Sequence, residues 1–146
     1  MTSTTNATST LDTAPPRPSL AAVLIFDAFT CAAMGLGLLV LTQVLAALLG
    51  LPPALLKWAG LLLMPCALLM MVAGVRQPPI AALVLLIVIG NIAWVLASLF
   101  FAFSIDGITS IGRTAVLAQA AAVLLLAWLE WRGLDAQWRS GSQGAY

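Results

Sequence analysis

The chain has 146 residues, of which 62% are apolar and only 8% are charged, and its mean hydropathy is +1.09. A soluble domain is about 45–50% apolar and about 25% charged. A soluble fold of this size keeps so much of its surface in water that it could not bury the additional apolar residues. The composition therefore excludes a soluble domain and indicates an integral membrane protein. The net charge of +1, without a basic cluster, excludes nucleic acid as an expected partner.

The first half of the chain predicts a polar tail and two spanning helices. Residues 1–19 are rich in Ser, Thr and Pro and predict a disordered N-terminal tail. An apolar stretch at about 20–49 follows and ends at a glycine before two prolines. Because proline is tolerated in the first turn of a helix, the second helix is predicted at about 53–74.

The second half predicts two more spanning helices. Pro78 and Pro79 open a third stretch, at about 79–104, and Asp106-Gly107 makes a turn before a fourth, at about 109–132. A short C-terminal tail is predicted at 134–146.

All four stretches are long enough to cross about 30 Å of hydrocarbon. The predicted fold class is therefore all-α: a four-helix transmembrane bundle over residues 20–133, up-down, with antiparallel neighbours.

The basic residues predict the orientation in the membrane. An even number of spans places both termini on one side, which holds four arginines, against Lys57 and Arg113 on the other side. Cytoplasmic segments carry the excess of Lys and Arg, so both termini are expected in the cytoplasm, in an inner membrane if the protein is bacterial.

Asp27 is the most unusual residue of the first helix. A carboxylate at the centre of a spanning helix costs about 2.5–3.5 kcal/mol on insertion scales. It therefore requires a cationic partner, for which Arg76 and Arg132 are on the same side, or a wet cavity, a bound proton, or a shallow position. A shallow position of Asp27 is possible because residues 28–49 alone are long enough to span the membrane. The sequence favours an interfacial anchor or structural ion pair over a functional group.

Two carboxamides are predicted near the middle of the membrane. Asn91 lies about twelve residues from the start of its helix, and Gln119 about twelve from the end of the next, so each is the obvious hydrogen-bond partner of the other. Trp94 and Ser98 follow Asn91 at one-turn spacing. With Asp27, these residues form a candidate polar binding pocket, although a structural interhelical bond is the more economical interpretation.

Catalysis, a cofactor and a metal site are not expected. The chain has no histidine, which removes the usual haem and zinc ligands, and its two cysteines lie in apolar runs. No nucleophile-with-base pattern is present.

The sequence favours a non-catalytic accessory, scaffold or structural subunit, in contact with the lipid bilayer and in a homo-oligomer or a larger membrane complex. The alternative is a small transporter or channel that uses Asp27 and an Asn91–Gln119 pocket.

Overall fold

A computed structural model of the chain describes residues 19–76 and 79–143, and within those ranges the chain is helical, without strands. This confirms the predicted all-α class. The predicted tail at 1–19 lies outside the described residues except for Ser19, which caps the first helix, and Pro78 is also outside them. The helices are α1 (Leu20–Val40), α2 (Thr42–Leu49), α3 (Pro53–Val75), α4 (Ala81–Ser104) and α5 (Ser110–Gln143).

The first predicted helix is divided into two. The break lies at Leu41, and the hydroxyl of the buried Thr42 donates to the carbonyl oxygens of Leu38, at 2.6 Å, and Leu39, at 3.0 Å. A threonine hydroxyl that bonds back to the preceding turn commonly bends a helix. The stretch at 20–49 therefore forms a long spanning helix followed by a short one.

The last helix is longer than predicted. Residues 134–143 continue α5 instead of forming a tail. The buried Leu134 gives this extension an apolar anchor, and the side chains of Asp135 and Arg139 form an ion pair one turn apart, at 2.8 Å.

Four helices are long and apolar enough to cross a membrane: α1, α3, α4 and α5. Many of their large apolar side chains point outward, among them Phe29, Leu68 and Phe103, each at least 64% exposed. An outward apolar surface is what lipid requires of a spanning helix. The chain is therefore a multi-pass membrane protein.

The bundle consists of two helix pairs. α1 packs along α3, and α4 packs along α5. Gly35 of α1 and Gly60 of α3 bring the first pair close, since a Cβ atom on Gly35 would lie 3.1 Å from the Gly60 carbonyl oxygen. Small residues at such crossings are typical of membrane helices.

The two pairs meet at both ends of the bundle. At the end where α1 begins and α5 ends, here called the terminal side, Gly133 packs against Leu20. At the opposite end, the loop side, Thr109 donates from its main-chain N–H to the carbonyl oxygen of Leu49, at 2.9 Å. Gly112 packs so tightly on Leu49 that a Cβ atom there would overlap the Leu49 carbonyl. Between these two contacts the pairs separate around a cavity.

Candidate functional site

Three polar side chains from three helices meet at the interface of the two pairs. Nδ2 of Asn91, on α4, donates to Oδ2 of Asp27, on α1, at 2.9 Å and to Oε2 of Glu130, on α5, at 3.1 Å. The exposed fractions of Asp27, Asn91 and Glu130 are 1%, 5% and 0%. We call these three residues the acidic cluster.

Helical periodicity places each member of the cluster on the inner face of its helix. Asp27 follows the buried Leu24 by three residues on α1, and Asn91 lies one turn beyond the buried Ile87 on α4. On α5, Glu130 has buried residues at one-turn spacing on both sides, Ala127 and Leu134. Each of the three side chains must therefore point into the protein.

The Asp27 carboxylate is held by short-range donors on its own helix. The hydroxyl of Thr30 donates to Oδ1 at 3.3 Å, and the thiol of Cys31 lies 3.8 Å from the same oxygen. Glu130 is less well satisfied, because its Oε1 is buried and has no hydrogen-bond partner. Both carboxyl groups accept from the same amide nitrogen, so the two lie side by side.

No cation balances the two carboxyl groups within the described part of the chain. The predicted pairing of Asp27 with Arg76 or Arg132 is wrong. The ion pair found among the described residues joins Arg139 with Asp135, both on α5. Arg132 instead lies over the ring of Trp128, 4.8 Å from its centroid. The Arg132 guanidinium therefore contacts Trp128 on the outer surface of α5, and the Arg132 side chain is exposed.

A cavity of about 890 Å³ lies against the acidic cluster, between the two helix pairs. Asp27, Asn91, Trp94 and Gln119 are among the residues of its wall, and the rest of the wall is almost entirely apolar. Ser98 lines a neighbouring cavity of about 360 Å³, to which Trp94 and Gln119 also contribute. The five residues predicted for a pocket are thus distributed over two adjoining cavities.

The predicted hydrogen bond between Asn91 and Gln119 is absent from the described residues. Both hydrogens of the Asn91 amide are directed to carboxylates, and the two amides share only the wall of the larger cavity. Trp94 Nε1 is buried and has no acceptor in the described structure. Asn91 is therefore a link between two acids and not half of an amide pair.

Glu130 is the member of the site that the sequence analysis missed. It stands next to charged and aromatic residues, which are typical of the membrane interface and not of a buried site. One signal was available: Glu130 follows Gln119 by eleven residues, about three helical turns, so both lie on one face of α5.

Comparison with protein-family models, with curated proteins and with solved structures gives no match. The chemistry of the site therefore has to be argued from its own groups. Two adjacent carboxyl groups and one amide, beside a cavity, are able to bind and release protons and to attract a cation.

Proposed function

We propose that this chain is a small membrane transporter. Its substrate occupies the cavity between the helix pairs, and the acidic cluster is its working group. The observation that carries the proposal is the pair of buried carboxyl groups, Asp27 and Glu130, without a balancing cation in the described structure. Asp27 lines the cavity, and Glu130 is joined to it through Asn91.

The energetic cost of the cluster supports a functional role. Removal of an ionised carboxylate from water costs several kcal/mol, whereas one interhelical hydrogen bond in a membrane protein returns about 0.6 kcal/mol on average. The two bonds from Asn91 do not cover this cost. Ionisable groups inside a membrane commonly mark substrate paths and proton relays, where their function maintains them.

The arrangement of the helices supports the same proposal. α1–α3 and α4–α5 are closely packed pairs that touch at the terminal side and at the loop side, with the cavity between these contacts. Rocking of one pair against the other would open the cavity alternately to the two sides of the membrane, which is a common mode of transport.

A non-catalytic scaffold or accessory subunit is the second candidate. It is favoured by an open edge on α1, where Ala33 is exposed and a Cβ atom on Gly37 would meet nothing within 4 Å. Small residues at this spacing allow another helix to approach closely, in a homo-oligomer or a larger complex. A scaffold built on this edge gives the buried acids no role, which is why it comes second.

We also propose that both termini face the cytoplasm. Arg76, Arg132 and Arg139 belong to the terminal side, and Arg17 precedes it in the sequence, whereas the loop side has Lys57 and Arg113. The excess of basic residues on the terminal side supports this orientation, with an inner membrane as the location if the protein is bacterial.

Reaction of a cavity thiol with charged reagents tests transport against the scaffold. Cys66 lines the cavity, and Cys31→Ser makes it the sole cysteine while retaining a donor for Asp27. In proteoliposomes, trimethylammonium-ethyl methanethiosulfonate and its anionic sulfonatoethyl counterpart require water to reach a thiol. We expect at least one of them to modify Cys66.

A thiol two residues away is the matched control. Leu68 is 66% exposed on the outer face of α3, so Leu68→Cys, in a chain with Cys31→Ser and Cys66→Ala, places a thiol at similar depth in lipid. We expect this thiol to stay unmodified. If Cys66 reacts no faster than the thiol introduced by Leu68→Cys, the cavity is not a water-filled path and the transport proposal fails.

A further inference from the structure

We infer that the substrate is a lipophilic organic cation of single charge, which is exchanged for a proton held between Asp27 and Glu130. This inference rests on the proposed transport function and names its substrate class and coupling ion. It combines three observations: the size and walls of the cavity, the sign of the charge at the wall, and the amide donor that the two carboxyl groups share.

The cavity fits an organic molecule with a large apolar surface. Ligand sites of about 300–1,000 Å³ accommodate drug-sized molecules, and this one has about 890 Å³. Its wall presents Met34, Leu62, Leu86 and Leu126 with other apolar residues, so a strongly hydrated solute would lose water there without replacement. A substrate with mainly hydrocarbon surface loses little.

The charge at the wall selects a cation. Asp27 is the only charged residue among the described residues that line either cavity, and Glu130 accepts a hydrogen bond from Asn91, which lines the larger one. Neither lining includes Lys or Arg. Between apolar walls of low dielectric constant, the field of this negative charge is focused into the cavity, where it attracts a cation and repels an anion.

The proximity of the two carboxyl groups, which bind one amide nitrogen, accounts for the exchangeable proton. Two ionised carboxylates that accept from one amide nitrogen repel each other, and binding of one proton by the pair leaves one negative charge, which the Asn91 amide stabilises. Among the described residues, the other titratable groups beside the pair are the thiols of Cys31 on α1 and Cys66 on α3, while α4 contributes the neutral Asn91.

The exchange is balanced in charge. A cation enters beside Asp27 and displaces the proton of the carboxyl pair, so that it pairs with the newly ionised carboxylate. The released proton passes to water on the side to which the cavity is open. Return of a proton from the other side restores the singly charged pair and releases the cation. One proton moves for each cation, and no covalent bond other than O–H is broken.

Calorimetric titration of the purified protein with tetraphenylphosphonium tests the inference. The near-isosteric anion tetraphenylborate is the matched ligand, and titrations into protein-free detergent are subtracted. We expect the cation to bind at least about tenfold more tightly than the anion. Below neutral pH, titrations in two buffers of different ionisation enthalpy should show close to one proton released for each cation bound.

Variants locate the binding to the carboxyl pair. Asp27→Asn should weaken binding of the cation at least about tenfold, and Glu130→Gln should abolish the release of protons. Asp135→Asn is the control, because Asp135 pairs with Arg139 outside the cavity. Equal binding of both ligands by the wild-type protein overturns the inference, even if a variant fails to fold, and so does binding without proton release.

The two proposals fail in different ways. If Cys66 reacts with the charged thiol reagents but tetraphenylphosphonium does not bind in preference to tetraphenylborate, the substrate class is wrong and the transport proposal stands. If Cys66 does not react, both proposals fall together.

Discussion

Replacement of Asn91 by leucine removes the amide that bridges the two buried acids. The amide donates one hydrogen bond to Asp27 and one to Glu130. Interhelical hydrogen bonds in membrane proteins are worth about 0.6 kcal/mol on average and at most about 1.7 kcal/mol. Loss of both bonds should therefore lower the free energy of unfolding by about 1–3 kcal/mol.

A double-mutant cycle separates the bond energy from other effects of the substitution. Asn91→Leu and Asp27→Leu, alone and together, should give a coupling of about 0.6 kcal/mol, because the second substitution finds the bond already lost. The same cycle with Gln119→Leu should give a coupling within about 0.5 kcal/mol of zero, since no bond joins this pair in the described structure.

Steric trapping in lipid or detergent measures these free energies of unfolding. A coupling of Asn91 with Gln119 larger than that with Asp27 would refute the arrangement of the cluster. It would restore the amide pair that the sequence suggested and would leave Asp27 to find another partner.

Three further predictions concern the packing and the charges. Gly112→Ala should destabilise the protein by about 1–3 kcal/mol, because the added methyl group overlaps a backbone carbonyl at the end of α2, whereas Gly37→Ala, with open space around it, should leave the thermal midpoint unchanged or raise it. Glu130→Gln should keep or raise the thermal midpoint in detergent while transport is lost, since the Gln amide is able to donate to Asp27 without a bound proton; a large fall in the midpoint would show that the carboxyl group itself stabilises the fold. A reporter fused to the C-terminus and one inserted in the turn before α5 should lie on opposite sides of the membrane, with the C-terminus cytoplasmic; a C-terminus outside would overturn the orientation.

The spanning helices were predictable because the signal that forms them is local. A continuous apolar stretch of sufficient length has to be helical in lipid, and prolines and glycines mark where it stops. Hydropathy does not reveal the break at Leu41, because a single threonine does not interrupt an apolar stretch. The Thr42 hydroxyl bends the helix through its hydrogen bonds to the carbonyl oxygens of the preceding turn.

The candidate site was only half predictable. Asp27 and Asn91 were visible as polar residues in apolar helices, but their mutual contact depends on how each helix is rotated about its own axis, which hydropathy does not fix. Glu130 was hidden for a different reason. It stands where the hydropathy of α5 falls, and only the burial of Leu134 beyond it shows that this part of the helix is still inside the protein.

Uptake of tetraphenylphosphonium into proteoliposomes tests the proposed transport most directly. With an acidic interior, and with the membrane potential clamped by valinomycin and equal potassium, only exchange with protons drives uptake above that of protein-free liposomes. We expect such uptake by the wild-type protein and by Asp135→Asn, and its loss in Asp27→Asn. Wild-type uptake equal to that of protein-free liposomes, or undiminished uptake by a folded Asp27→Asn variant, would contradict the proposal.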